Sequence, residues 1–160
     1  MNKILTLTLL TFIALSFTSC SGDKDEVTPA PVDIRDQMAT IYTYENTNYY
    51  VDGSEDESTG TIEVRKSETT DGIVFLENGQ IIGKGTKLQE GTNGIAFDLE
   101  DDSQTIDDIL YEQRGVDFIE LDGAKYNGVY EFSSGQIGIA FDVFIDGTRY
   151  VRAVYLLSKT

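Results

Sequence analysis

The chain has 160 residues, with 28 acidic and 12 basic side chains, a net charge of −16 and no histidine. Such acidity excludes the clustered lysines and arginines with which nucleic-acid binders neutralise phosphates, so we expect no nucleic-acid partner. The sequence also excludes histidine-based triads, histidine-ligated metals and, because it has a single cysteine, an internal disulfide.

The N-terminus has the three-part layout of a secretory signal. Lys3 supplies a positive charge, residues 4–17 form an uncharged and mostly apolar run, and small residues lead to Cys20. The apolar run is shorter than the roughly 20 residues that a membrane-spanning helix needs. We therefore predict that residues 1–19 are a cleaved signal peptide and that the mature protein begins at Cys20.

The residues around the cysteine read Phe17-Thr18-Ser19-Cys20. This sequence resembles the lipobox of bacterial lipoproteins, in which the cysteine is acylated after cleavage. The resemblance implies that Cys20 is the lipid-attachment residue and that its acyl chains hold the protein to a membrane, which two or three chains do firmly. The alternative is an ordinary secretory signal with an incidental cysteine.

The segment after the cysteine gives an expected location. Residues 21–26 (SGDKDE) are similar to the acidic export signal of surface lipoproteins of the Bacteroidetes type. The similarity implies a lipid-anchored, surface-exposed protein on the outer membrane of a Gram-negative cell envelope. The alternative is a solvated spacer that carries no localisation signal.

A linker and one domain follow. Residues 20–32 contain both prolines of the chain, Pro29 and Pro31, and proline-rich linkers stay extended. Residues 33–160 contain no proline and almost all of the glycines. This change in composition predicts that residues 33–160 form a single domain.

The pattern in residues 33–160 is typical of an all-β domain. Asx-Gly or Ser-Gly pairs, which suit tight turns, occur at 52–53, 71–72, 78–79, 93–94, 122–123, 134–135 and 146–147. Between these pairs, large apolar residues alternate with small or polar ones, as in strands with one buried face. We predict a helical turn at 33–38 capped by Asp33. We predict strands at 39–51, 60–68, 72–77, 80–88, 94–100, 104–112, 116–121, 125–133, 136–145 and 148–158.

The last hairpin predicts a register and a fold. A two-residue turn at Asp146-Gly147 and regular pairing place Phe141 opposite Arg152, so that Arg152 is the one cation on an apolar face. Many short strands predict a small antiparallel up-and-down barrel, with a two-sheet sandwich as the alternative. The barrel resembles the lipocalin-like (calycin) class, although the usual Gly-x-Trp signature is absent because the chain has no tryptophan.

Catalytic and metal-binding motifs are missing from the sequence. It has no Gly-x-Ser-x-Gly elbow, and so many carboxylates are present that no pair of them is distinctive. Acidic loops at 52–57 and 98–108 could bind Ca²⁺, but they lack EF-hand spacing, and we expect them to be solvated. We therefore expect no enzymatic activity, no catalytic residue, no cofactor and no metal site.

Aromatic and cationic residues are the candidates for ligand binding. Tyr42, Tyr44 and Tyr50 share one face of the first strand, where tyrosine can stack on a ligand or serve as an ordinary half-buried strand residue. Arg152 could meet a ligand carboxylate in a cavity or pair with an internal acid. With the anchor, these features favour a non-enzymatic module that binds a small apolar or amphipathic ligand or an envelope component. The alternative is a structural or protein-interaction domain, such as an accessory subunit or an inhibitor.

Overall fold

A computed structural model describes residues 32–160, in which a short 3₁₀ helix, Ile34–Gln37, precedes twelve strands numbered in chain order. The strands are β1 Thr40–Tyr50, β2 Glu55–Lys66, β3 Ile73–Glu77, β4 Gln80–Glu90, β5 Gly94–Leu99, β6 Asp102–Ile106, β7 Ile109–Gly115, β8 Ile119–Leu121, β9 Ala124–Tyr126, β10 Gly128–Glu131, β11 Ile137–Ile145 and β12 Thr148–Lys159. The all-β class is confirmed, and Asp33 caps the helix as predicted by accepting a hydrogen bond from the backbone N–H of Arg35.

Eight of the strands close into an antiparallel barrel. Strands β1 to β5 pair in sequence, β10 follows β5, and β11 and β12 complete the ring by returning to β1. Neighbours in the ring are consecutive in the chain once β6 to β9 are set aside, which is the order of an up-and-down barrel. The predicted barrel is therefore confirmed over the sandwich, and its shape is consistent with the lipocalin-like class.

Strands β6 to β9 are an insertion between β5 and β10. The β6–β7 hairpin pairs with the C-terminal half of β11, and β8 and β9 form a separate two-stranded sheet. The prediction of one strand at 104–112 is wrong, because the chain turns at Asp107 and Asp108, whose φ angles are 51° and 64°. Two positive φ angles define a type I′ hairpin turn, and aspartate adopts them without the glycine that usually signals such a turn.

The segment predicted as a strand at 125–133 is also divided. Asn127 separates β9 from β10, and its buried side chain accepts a hydrogen bond from the backbone N–H of Leu99 at the end of β5. Its own carbonyl accepts one from the N–H of Ala140 in β11. This residue therefore joins two strands that are not neighbours in the ring.

The register of the last hairpin differs from the prediction. The turn at Asp146-Gly147 is present, but a bulge next to Val143 shifts the pairing, so that Asp142, not Phe141, lies opposite Arg152. Arg152 therefore lies on the outer face of the barrel, and its predicted place on the apolar face is wrong. The physical reason is that one inserted residue moves every later side chain of the strand to the other face.

Large side chains fill much of the barrel interior. The buried cluster consists of Met38, Tyr42, Ile62, Val64, Ile73, Phe75, Ile95, Phe97, Leu99, Tyr130, Ile137, Ile139 and Leu157. Met38, next to the short helix, is fully buried and accepts a hydrogen bond on its carbonyl from the Tyr42 hydroxyl, at 2.9 Å. An eight-stranded barrel is just wide enough for side chains to fill or for one small ligand. The interior of this barrel is therefore largely occupied by its own side chains.

Candidate functional site

A large concavity lies on the outside of the barrel wall, between the wall and the β8–β9 hairpin. We call it the outer groove, and its volume is about 500 Å³. Its apolar lining consists of Gly94, Ala96, Val129, Gly138 and Leu156 from the barrel and Ile119 and Leu121 from the hairpin. This volume is in the range of roughly 300–1,000 Å³ that is typical of small-molecule sites.

Small residues on the outer face of the barrel make this groove. Ala96 in β5 and Gly138 in β11 project little side chain from the wall, which leaves space that larger residues would fill. The hairpin reaches over the wall at both ends of this space: Leu121 packs on Gly91, and Phe118 lies over Gly138. A Cβ atom at Gly138 would lie 3.7 Å from Val129 Cγ1, an ordinary contact, so the glycine leaves usable room.

The rim of the outer groove is polar and acidic. Glu120 and Glu131 line it together with Asn93 and Gln136, and no lysine or arginine is among its lining residues. The Leu156 side chain is 43% exposed, so the groove is open toward β12. An apolar body with a neutral head group fits this arrangement, whereas an anionic head group would face like charges.

A second, smaller concavity lies inside the barrel, at the end away from Met38. We call it the mouth cavity, and its volume is about 150 Å³. Its apolar lining includes Phe75, Phe141 and Tyr155, and its polar lining consists of Glu77 and Gln113. The Tyr155 ring stacks on Phe141, with ring centroids 5.7 Å apart, and burial raises the pKa of the Tyr155 hydroxyl to about 12.

The structure places the predicted tyrosines on one inner face but does not bring them into one site. Tyr42 is fully buried in the core, and that burial raises the pKa of its hydroxyl. Tyr50 lies at the far end of β1 and donates a hydrogen bond to Asp56, at 3.0 Å. Tyr44 alone adjoins the mouth cavity. Its hydroxyl donates a hydrogen bond to Glu77 Oε1 at 2.9 Å, and this bond is the main cause of the raised pKa of Tyr44.

Arg152 is occupied by an ion pair on the outer face. Its Nε and one terminal nitrogen donate to the two oxygens of Asp142, at 2.8 and 2.9 Å. The hydrogen bond from the guanidinium to Asp142 is the main cause of its raised pKa. The structure thus places Arg152 with an acidic partner and away from both concavities. The predicted lipid-attachment residue, Cys20, lies outside the described residues.

One buried polar group on the inner face lacks a partner. Asn46 follows Tyr44 on the same face of β1 and lies opposite Tyr155 in β12. It is 4% exposed, its amide nitrogen donates to Ser58 Oγ at 3.3 Å, and its Oδ1 accepts no hydrogen bond from residues 32–160. An unpaired acceptor of this kind costs stability and is uncommon in folded proteins.

The acidic loops form ion pairs and local hydrogen bonds. Asp98 pairs with Lys87 at 2.9 Å, and Asp52 accepts hydrogen bonds from Ser54. Within residues 32–160, no three acidic side chains converge as a metal-binding group. Across the same residues, no helix has the length and apolarity needed to cross a membrane.

Sequence reasoning missed both concavities. The aromatic face of the first strand makes Tyr44 a candidate. The sequence does not indicate that Glu77 and Tyr155 lie beside it, because both are far from Tyr44 in the chain. The only sequence signal for the outer groove is the recurrence of small residues, such as Ala96 and Gly138, opposite a buried face. Comparisons of the chain with protein-family models, with curated proteins and with solved structures found no match.

Proposed function

We propose that this protein is a lipid-anchored lipoprotein of the bacterial outer membrane that binds a small apolar or amphipathic ligand in the outer groove, without catalysis. The observation that carries the proposal is the groove itself, a space of about 500 Å³ with an apolar floor and a polar rim. The volume suits a ligand with a chain or ring system rather than a single small ion.

The charge of the rim narrows the ligand class. Glu120 and Glu131 border the groove, and the chain as a whole carries a net charge of −16. Both features disfavour an anionic head group. The proposed ligand therefore has an apolar body and a neutral, hydroxyl- or amide-bearing head that can bond to Asn93 or Gln136.

The anchor supports this assignment. Acyl chains on Cys20 would hold the protein at a membrane, the source of most apolar molecules in an envelope. The linker of residues 20–32 could span roughly 40 Å when extended, at about 3.3 Å per residue. The domain would thus sample the membrane surface without being inserted in it.

A matched pair of probes tests the groove. Native mass spectrometry of the full-length protein would compare a medium-chain monoacylglycerol with the fatty acid of the same chain. We expect the neutral monoacylglycerol to bind at least about 10-fold more tightly than the fatty acid, which corresponds to about 1.4 kcal/mol. Equal binding of the two probes, or tighter binding of the fatty acid, contradicts the ligand class.

A matched pair of variants tests the location. Gly138→Val adds an isopropyl group to the floor of the groove, whereas Gly83→Val adds one at the mouth cavity, where a Cβ atom would also meet only an ordinary contact. We expect Gly138→Val to weaken monoacylglycerol binding at least about 10-fold and Gly83→Val to leave it unchanged. The reverse order, or no effect of either change, rules out the groove as the site.

The anchor has its own test. Cys20→Ala removes the thiol that acylation requires, so we expect the variant to leave the membrane fraction of fractionated cells. Ser19→Ala keeps the cysteine and a small residue before it, so this control should stay with the membranes. Persistence of Cys20→Ala in the membrane fraction contradicts the lipid anchor.

A protein partner is the second candidate, and strand β6 favours it. All five residues of β6 are exposed, and β6 pairs only with β7 among residues 32–160. Such an edge can accept a strand from another protein. Thr105→Pro removes a backbone donor that points away from β7, because Leu110 opposite it bonds through its backbone to Asp146, so this change should abolish co-purification of an envelope partner while leaving monoacylglycerol binding intact.

A further inference from the structure

The mouth cavity contains a carboxylate that is not neutralised by the protein. Glu77 is half-buried at the end of β3, and its only side-chain partner among residues 32–160 is the Tyr44 hydroxyl, at 2.9 Å. None of the ion pairs in this part of the chain includes Glu77. A carboxylate withdrawn from water is stabilised by a positive charge, and here the protein does not supply one.

Aromatic rings adjoin the same carboxylate. Tyr155 lines the cavity and contacts two rings: Phe141, stacked at 5.7 Å, and Tyr44, tilted at 5.3 Å between centroids. The negative faces of aromatic rings attract ammonium groups, most strongly where water is displaced. A carboxylate beside such rings is therefore complementary to an organic cation.

Other polar groups near the cavity offer hydrogen-bond acceptors. The Tyr155 hydroxyl makes no hydrogen bond with residues 32–160, and Gln113, whose side-chain amide includes an acceptor oxygen, lines the cavity. An ammonium group has three N–H donors and no acceptor, so it can bond to Glu77 and to these oxygens together. A neutral apolar molecule would donate a hydrogen bond to none of these oxygens.

We propose that the mouth cavity is a binding site for a primary ammonium carried on a short apolar body. Glu77 holds the charge, the rings of Tyr155 and Phe141 cover it, and the apolar part lies against Phe75. The volume of about 150 Å³ is that of a cavity which holds one benzene molecule, so the body has about the size of one ring. This site is separate from the outer groove and differs from it in the charge of its ligand.

Two probes of one shape test the site on the full-length protein. Benzylamine carries an ammonium group at neutral pH, and benzyl alcohol has the same ring with a neutral hydroxyl. By isothermal titration calorimetry, we expect benzylamine to bind at least about 10-fold more tightly than benzyl alcohol. Equal affinities, or no detectable binding of benzylamine, overturn the proposal, and this comparison does not depend on any variant.

Two charge-removing variants locate the cation. Glu77→Gln keeps an acceptor for Tyr44 but removes the charge, so it should abolish the preference for benzylamine. Glu45→Gln removes one charge from the exposed outer face of β1 and should preserve that preference. Retention of the preference in Glu77→Gln, or its loss in Glu45→Gln, overturns the assignment to Glu77. Monoacylglycerol binding should be unchanged in both variants, which separates failure at this site from failure at the outer groove.

Discussion

Replacement of Asn127 by alanine should destabilise the barrel more than any substitution of an exposed asparagine. Asn127 is buried between β9 and β10, and its Oδ1 accepts the hydrogen bond of the Leu99 N–H, which is buried as well. Alanine preserves the backbone bond from Ala140 to residue 127 but removes the side-chain acceptor. The Leu99 N–H would then be buried without a partner.

The expected loss follows from that single unpaired donor. A buried polar group left without its partner costs about 1–3 kcal/mol, and the few side-chain atoms removed add little to it. We therefore expect a loss of about 2 kcal/mol in the free energy of unfolding. Single domains are typically stable by only about 5–15 kcal/mol, so a loss of this size is easily measured.

Urea denaturation of the full-length protein, followed by far-ultraviolet circular dichroism, measures the change. Asn93→Ala is the matched control, because Asn93 is exposed and its side chain makes no hydrogen bond among residues 32–160. The control should change the free energy of unfolding by less than about 0.5 kcal/mol. The reasoning is refuted if Asn127→Ala loses no more free energy of unfolding than the control while the slope of that free energy against urea concentration is unchanged.

Three further changes test the packing and the buried polar groups. In Gly128→Ala, the new Cβ would lie 2.1 Å from Phe97 Cε2, so urea denaturation should show a loss of about 1–3 kcal/mol, whereas Gly138→Ala makes ordinary contacts and should show none. Burial raises the pKa of Tyr155 to about 12, whereas a tyrosine in the unfolded chain has a pKa of about 10. The stability that the neutral hydroxyl contributes is therefore complete below about pH 10 and is lost as the pH rises from about 10 toward 12. The Tyr155→Phe variant should therefore lose less stability than the natural protein across that alkaline range. An equal loss in the two proteins contradicts the raised pKa of Tyr155. Asn46→Val removes the unpaired Oδ1 and should raise the free energy of unfolding by about 1 kcal/mol; a variant less stable than the natural protein would show that this amide is satisfied.

Much of the barrel was predictable because its signals are local. The turns at Asn78-Gly79, Asp122-Gly123 and Asp146-Gly147 have positive φ at both residues, as their sequences indicate. Alternation also identified which residues of β11 point inward, such as Ile137 and Ile139, which are buried. The eight strands of the ring and their up-and-down order followed from these two signals together, whereas the division of the predicted strands 104–112 and 125–133 did not.

The errors arose where one residue changes the pairing without a sequence marker. The bulge next to Val143 reverses the faces of β12, so Tyr155 and Leu157 point inward while Arg152 points outward. Alternation continues on both sides of a bulge, and nothing in the pattern marks the inserted residue. The predicted environment of Arg152 was therefore wrong although its strand was right.

The two concavities could not be predicted because both depend on distant parts of the chain. The outer groove requires the β8–β9 hairpin to fold back over β5 and β11, and no local pattern in residues 116–127 specifies that contact. The mouth cavity requires Glu77 and Tyr155 to meet across the barrel. Such long-range contacts are determined by the closure of the barrel, which is a property of the whole sheet.

The barrel wall explains how two concavities with different linings can share the same strands. Along β11, Gly138 lines the outer groove and the next residue, Ile139, lines the mouth cavity; along β12, Leu156 and Tyr155 divide in the same way. Because successive side chains of a strand point to opposite faces, each site has its own set of residues on shared strands. Large inner residues leave only a small space inside, and small outer residues leave a larger one outside. The proposed apolar ligand and the proposed ammonium would therefore lie on opposite faces of one wall, and the bulge next to Val143 fixes which β12 residues face each concavity.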